Sequence, residues 1–268
     1  MKTELVTEYI VNWLKEYATK AKVNGFVLGV SGGVDSAVTS TLCAMTGLPT
    51  LLVEMPIHQD VKQVNLAQAH IKQLKERFDN VRDKKIFLTS VFDEFKHQLV
   101  GVEISELSLG NTRARLRMTT LYYLAGVNNY LVVGTGNKVE DFGVGFFTKY
   151  GDGGVDISPI ADLMKSEVYE VGKYVGVSED ILTVAPTDGL FGDSRTDEDQ
   201  IGATYDELEW AMKYYTGTTA NDINLGVHMY EDCTERQKKV MKIYLKRNRA
   251  NKHKMIPIPV CDIPKELE

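Results

Sequence analysis

Cysteine is scarce. Cys43, Cys233 and Cys261 are the only three among 268 residues, far apart and without a C-x-x-C pair. That excludes a disulfide scaffold and a structural zinc site, and it points to a reducing, cytoplasmic setting. No apolar run reaches membrane-span length and the N-terminus lacks a signal-peptide pattern, so no membrane association is expected. There is no internal repeat, no low-complexity tract and no stretch that reads as a linker. Positive charge is in deficit, with 31 Lys and Arg against 37 Asp and Glu and a net charge of −6. That balance disfavours bulk nucleic-acid binding, though local basic clusters remain. The remainder, 43% hydrophobic and 25% charged, is the usual mix of a globular protein with ample core.

Apolar periodicity gives the architecture. Leu5, Val6, Tyr9, Ile10, Trp13, Leu14 and Tyr17 recur at helical spacing, so the chain opens on an amphipathic helix. Strands are expected at Phe26–Val30, Thr50–Met55, Ile86–Val91 and Tyr130–Val133. Helices are expected from about Asp35 to Met45, from Val61 to Phe78 and from Arg113 to Ala125. Alternation at this rhythm predicts an α/β, Rossmann-like parallel sheet flanked by helices on both faces. Ligands of such sheets lie beyond the carboxyl ends of the strands. Phe142–Gly154, rich in glycine, and Ala185–Asp199, with Pro, Gly and Asp but few periodic apolar positions, read as loops able to close over a ligand. Residues 1–268 read as a single domain.

The most informative stretch is Gly29-Val30-Ser31-Gly32-Gly33-Val34-Asp35-Ser36, directly after Phe26-Val27-Leu28. It reads as a strand that breaks into a tight turn opening a helix. Paired glycines let the backbone approach an anion, and the free amides of the helix start point at it. A Walker loop ends in Gly-Lys-Ser/Thr; here no lysine is present and Asp35 stands where a cation would sit. A phosphate cradle that offers a carboxylate points to magnesium pyrophosphate. The loop resembles the pyrophosphate loop of the ATP pyrophosphatases, which split ATP into AMP and pyrophosphate.

Further on, Asn111-Thr112-Arg113-Ala114-Arg115-Leu116-Arg117 carries three arginines in five residues. Placed at a helix start these would oppose the macrodipole, which an anionic ligand would reconcile; a solvated basic face is the alternative. Gly134-Thr135-Gly136-Asn137-Lys138-Val139-Glu140-Asp141 puts small residues at a strand end, then two carboxylates, of which Glu140 is a candidate hard-cation ligand. Phe146-Phe147-Thr148-Lys149-Tyr150-Gly151-Asp152-Gly153-Gly154 could form a flat slot for an aromatic heterocycle, with Lys149 on a phosphate or carboxylate. Asp156 to Lys165 reads as a strand-to-helix crossing, and His253-Lys254 lies in a basic tail.

In order, these motifs resemble the ammonia-dependent NAD synthetase family, an adenine nucleotide alpha-hydrolase-like group, over residues 5 to 259. Pro-Ile-x-x-Leu-x-Lys, Pro-Thr-x-x-Leu and Thr-Asp-Glu complete the match. The resemblance implies ATP-driven amidation of deamido-NAD to NAD through an adenylated intermediate. Gly29, Val30, Ser31, Gly32, Gly33, Val34, Asp35 and Ser36 would wrap the pyrophosphate, and Asp35 and Glu140 would hold Mg2+. Thr135, Lys165 and Thr187 would contact ATP, and Arg115, Lys149, Asp156, His253 and Lys254 would hold deamido-NAD. Asp35, Lys165 and Asp152 are the implied catalytic groups, Asp152 as the one that orients ammonia or accepts its proton. A homodimer is implied, and no glutaminase domain is expected, so ammonia is the nitrogen donor. Two departures stand out: His253-Lys254-Met255 where the family often has His-Lys-Arg, and Gly192-Asp193-Ser194-Arg195 where it often has Gly-Gln. The competing readings are a tRNA thiolation enzyme, for which paired cysteines are lacking, the synthetase half of a GMP synthetase, and a non-catalytic nucleotide-binding module.

Overall fold

The structure is a computed structural model that describes residues 1–187, 196–216 and 233–265. Four parallel strands, β1 (Gly25–Gly29), β2 (Thr50–Glu54), β3 (Val81–Lys85) and β4 (Tyr130–Val132), lie in the order β3-β2-β1-β4. The register pairs Leu28 with Leu52 and Val27 with Val132. Helices α1 (Thr3–Ala21), α2 (Val34–Met45), α3 (Val61–Arg77), α4 (Thr89–His97) and α5 (Glu106–Asn128) frame them.

Strand alternation sends neighbouring side chains to opposite faces. Phe26, Leu28 and Leu52 pack with Leu14 of α1, Leu42 of α2 and Leu74 of α3. Val27, Leu51, Val53 and Val132 pack with Phe92 of α4 and Leu124 of α5. Helices therefore cover both faces, as expected. The strand order reverses at β1, so a crevice opens where β1 and β4 end.

Beyond β4 the chain forms a π-helix (Val139–Val144) and then α6 (Lys165–Tyr174), α7 (Glu179–Leu182), α8 (Asp197–Ile201), α9 (Tyr205–Thr216) and α10 (Glu235–Met255). Val139, Val144, Leu208, Met212, Met241 and Tyr244 bury one another in a separate cluster at this end. Among the described residues no helix is long and apolar enough to cross a membrane.

Three local expectations are corrected. The third strand is Val81–Lys85, not Ile86–Val91. Among the described residues it is an edge strand that pairs only with β2, so Arg82, Asp83, Lys84 and Lys85 can stay exposed while their backbone pairs; charge on an edge also discourages pairing with another chain. The apolar residues that follow bury Leu88 and Phe92 from a turn and α4 instead. Helix α5 begins at Glu106, capped by Ser105, so Arg113, Arg115 and Arg117 lie two to three turns inside it and the macrodipole argument lapses. Phe142–Gly154 is folded: the amides of Gly151 and Gly153 both donate to the Thr148 carbonyl, at 2.9 and 3.2 Å. Of the second expected closing loop, residues 188–195 lie outside the described residues.

Candidate active site

Both glycine-bearing strand ends face the crevice. After β1, Gly32 adopts φ +91°, and a Cβ there would sit 2.5 Å from the Gln63 carbonyl of α3, so only glycine fits. The hydroxyl of Ser36 donates to the Gly33 carbonyl at 2.9 Å. With that hydrogen committed, Ser31 donates to Ser36 Oγ at 3.1 Å, and Ser31 Oγ accepts the Gly33 amide at 3.2 Å. The loop is thus shaped by its own hydroxyls. Gly33, the N-cap of α2, has no side chain to cap the first turn, which leaves those amides to a ligand.

Asn137 links this loop to the other wall. Fully buried, it donates through Nδ2 to Asp35 Oδ1 at 3.2 Å, and its Oδ1 accepts the amides of Val139 and Glu140 at 3.1 and 3.2 Å. The π-helix that it caps places both Glu140 and Asp141 on the cleft; wide turns of this kind are frequent at functional sites. Lys165, the first residue of α6 and 2% exposed, sends Nζ to Asp35 Oδ2 at 2.5 Å and to Glu140 Oε1 at 3.1 Å. Burial works against its charge, but Asp35 and then Glu140 overcome it and hold its pKa above the ordinary lysine range. Burial, then Glu140 and Asp152, push the Asp141 carboxyl up to about 8.

Among the described residues no group of three or more His, Cys, Asp or Glu side chains gathers as a metal cage. Asp35 and Glu140 nevertheless face one cationic point together. A pair of hard oxygens fits Mg2+ shared with phosphate, because Mg2+ is usually held by one or two carboxylates plus phosphate oxygens.

Thr135, Thr187, Phe146 and Phe147 line the cleft, as do the loop residues Gly29, Val30, Ser31, Asp35 and Ser36. Asp152 also opens onto it while accepting the Thr148 amide at 2.9 Å. Arg115, Lys149, His253 and Lys254 gather outside it. The Arg115 guanidinium donates to the Lys149 carbonyl at 3.3 Å, and Lys149 Nζ donates to the His253 carbonyl at 2.9 Å. Lys254 Nζ donates to the carbonyls of Gly145 and Phe147 at 2.5 and 2.6 Å. Asp156 is tied to the sheet: it accepts the Val132 amide at 2.8 Å and the Tyr122 hydroxyl at 3.0 Å. None of these five lines the cleft itself.

Sequence reading passed over several residues of the site. Arg117 lines the cleft and donates through Nε to the Met55 carbonyl at 3.0 Å, whereas its neighbour Arg113 stacks 4.3 Å over the Phe92 ring. Only the run of three arginines hinted at it. Asn137 falls within Gly134-Thr135-Gly136-Asn137, where the sequence pattern assigns it no role. Tyr205 donates to Glu140 Oε1 at 2.5 Å from a helix 65 residues away, and nothing in its local pattern marks it.

A parallel sheet with a preformed glycine–serine loop and a buried lysine between two carboxylates at its switch point defines a nucleotide-binding α/β protein. The family model described as NAD synthase matches residues 6–256. The chain belongs to the NAD synthase family. It is 41% identical over 209 residues to the NH(3)-dependent NAD(+) synthetase of Carboxydothermus hydrogenoformans, covering 76% of this chain and 82% of that relative. It is 35% identical over 258 residues to the protein of the same name from Sulfolobus acidocaldarius, covering 94% and 87%. Among solved structures, the NMN synthetase from Francisella tularensis matches with a TM-score of 0.81 and 30% identity over 99% of both chains. The NH3-dependent NAD synthetase from Campylobacter jejuni, solved with nitrate, matches with a TM-score of 0.76 and 27% identity over 98% of this chain and 100% of that one.

Proposed function

We propose that this chain is an ammonia-dependent NAD synthetase, a ligase that amidates the nicotinate carboxyl of deamido-NAD at the expense of ATP and releases AMP and pyrophosphate. One observation carries the reading beyond family membership: Lys165 is buried between Asp35 and Glu140 beside a preformed anion loop. Along the cleft Asp141, Asp152 and Asp197 outnumber Arg117, so a polyphosphate is favoured by cations brought with it.

The chemistry follows from that charge pattern. Gly29 to Ser36 cradle the β- and γ-phosphates of ATP, with Thr135, Thr187 and Lys165 as further contacts. Asp35 and Glu140 would hold Mg2+, which when bound neutralises phosphate charge. A carboxylate oxygen of the nicotinate attacks the α-phosphorus and pyrophosphate leaves. Both reactants are anions, so the protein acts mainly by charge neutralisation, through Lys165 and the loop amides. Ammonia then attacks the acyl carbon and loses a proton, and AMP departs with the carboxylate oxygen. Phe146 and Phe147 shield the anhydride from water, and Asp152 orients the ammonia. Arg115, Lys149, His253 and Lys254 hold the dinucleotide from the rim, and Asp156 fixes the end of β4 beneath it. Residues 1–268 serve as one synthetase unit in the cytoplasm, paired as a homodimer. Phe95, Leu107, Tyr123 and Val127 support that pairing, since they leave apolar surface exposed on α4 and α5.

The likeness to the Francisella enzyme favours a second reading, in which the acyl substrate is nicotinate mononucleotide and the product NMN. Turnover of each substrate with ATP, Mg2+ and ammonium, followed by AMP release, separates the two. A kcat/KM for deamido-NAD well above that for the mononucleotide supports the first reading and the reverse ratio the second. Formation of ADP instead of AMP contradicts both.

A further inference from the structure

Helix α9 packs across the start of α6, and two of its side chains one turn apart both reach the segment that carries Lys165. Tyr205 and Glu209 are each 5% exposed, and spacing of four residues puts them on one face of the helix. The Tyr205 hydroxyl donates to Glu140 Oε1 at 2.5 Å and lies 3.2 Å from Asp197 Oδ2. Its ring sits 4.6 Å from the Lys165 ammonium, within cation–π range. Glu209 grips the next residue of α6: its two oxygens accept the Ser166 amide and the Ser166 hydroxyl, both at 2.8 Å. A carboxylate on the first turn of a helix also complements the dipole.

The same oxygen, Glu140 Oε1, thus accepts from both Lys165 and Tyr205. Without the hydroxyl, that oxygen returns wholly to Lys165; the buried ion pair tightens, and Glu140 withdraws from an incoming metal ion. We propose that Tyr205 and Glu209 are positioning residues for the nucleotide site. Tyr205 shares Glu140 Oε1 with the Lys165 ammonium and so keeps that carboxylate from pairing fully with the lysine, in a ligand-ready arrangement, and Glu209 fixes the first turn of α6 from which Lys165 projects. This rests on the reading of Asp35, Glu140 and Lys165 as the site of metal-bound ATP.

The test is calorimetric titration of ATP into the wild-type protein, Tyr205→Phe and Glu209→Gln, without metal and across a Mg2+ series, beside steady-state kinetics and melting curves. Tyr205→Phe keeps the ring and removes only the hydroxyl. It should leave metal-free ATP binding and the melting temperature near wild type and raise the Mg2+ needed for half-maximal tightening about 10-fold. It should also lower kcat about 10- to 100-fold, the range expected for a lost charge-assisted hydrogen bond, with KM for the nicotinate substrate unchanged. Glu209→Gln should lower kcat in the same direction at constant KM. An unchanged Mg2+ requirement and kcat in Tyr205→Phe overturns the proposal. So does a lowered melting temperature with metal-free and metal-dependent binding weakened alike, which would make Tyr205 merely structural. Absence of any Mg2+ effect on ATP binding by the wild-type protein overturns the underlying site reading, and this one with it.

Discussion

Asp35 and Lys165, 130 residues apart in sequence, meet at 2.5 Å beside the glycine–serine loop. The contact joins the first turn of α2 to the first residue of α6. The contact therefore ties the loop, the carboxylate and the cation together, and the ion pair is part of both the fold and the site.

Removing either carboxylate should affect chemistry and stability to different degrees. Asp35→Asn and Glu140→Gln should each lower kcat/KM at least about 100-fold, since charge held on a metal contributes several kcal/mol to the transition state. Asp35→Asn should also lower the melting temperature more than Glu140→Gln, because its contact with Lys165 is the shorter and a buried charge that loses its partner is costly. Kinetics and thermal melts on the two variants check both halves. Equal activity in Glu140→Gln and wild type at ordinary Mg2+ would remove Glu140 from the metal site.

Glycine is required at Gly32 for shape and tolerated at Gly33. Gly32→Ala brings a Cβ against the Gln63 carbonyl at a positive φ and should destabilise by about 1–3 kcal/mol while weakening ATP binding. Gly33→Ala meets nothing closer than Ser31 Oγ at 3.4 Å and should retain stability. Urea unfolding of the pair distinguishes them; equal losses would mean that the loop adjusts freely.

His70 should make the fold acid-sensitive. It is buried with Nε2 2.9 Å from Ser40 Oγ, and burial lowers its pKa from 6.5 to about 4. The unfolded chain therefore takes up a proton that the folded one excludes. This contribution to stability is complete above about pH 6.5 and is lost as pH falls towards 4, on the order of 3 kcal/mol in total. His70→Gln removes the titration, so the stability difference between wild type and variant should shift by about that amount between pH 7 and pH 4. A constant difference across that range would show that His70 titrates alike in both states.

The two lysines of the rim should behave differently. Lys254 secures two carbonyls of the segment that ends in the cleft wall, so Lys254→Ala should lower the melting temperature and weaken ATP and the nicotinate substrate together. Lys149 donates to the His253 carbonyl and lies 5.5 Å over the ring of its exposed neighbour Tyr150. Lys149→Ala should raise KM for the nicotinate substrate roughly 10-fold, as for a lost charge-assisted contact, and leave ATP binding alone. Titration of each ligand into each variant decides it, and matching profiles for the two would reject the division.

The parts of the molecule legible in the sequence were those governed by local rules. The loop from Gly29 to Ser36 and the carboxylate Glu140 carry their chemistry in short motifs, and β1, β2 and β4 are apolar because both of their faces are covered. The edge strand β3 broke the pattern: pairing on one side let Arg82–Lys85 form a strand, while Leu88 and Phe92 went to a turn and a helix. The start of α5 was missed because Leu107 and Ser108 present no amphipathic rhythm, and only the Ser105 cap marks it. Tyr205 and Glu209 were invisible for a different reason. Their partners Glu140 and Ser166 are 65 and 43 residues distant, and a single tyrosine or glutamate on a helix reads as packing or surface until the helix is docked.

The proposed chemistry places one carboxylate oxygen of the nicotinate on the α-phosphorus of ATP. Its most direct measurement is turnover of deamido-NAD labelled with 18O in that carboxylate, with nicotinate mononucleotide labelled likewise in parallel, followed by mass analysis of the nucleotide products. One labelled oxygen should appear in each AMP formed, with pyrophosphate unlabelled. Unlabelled AMP, or label carried into inorganic phosphate beside ADP, would contradict the adenylated intermediate.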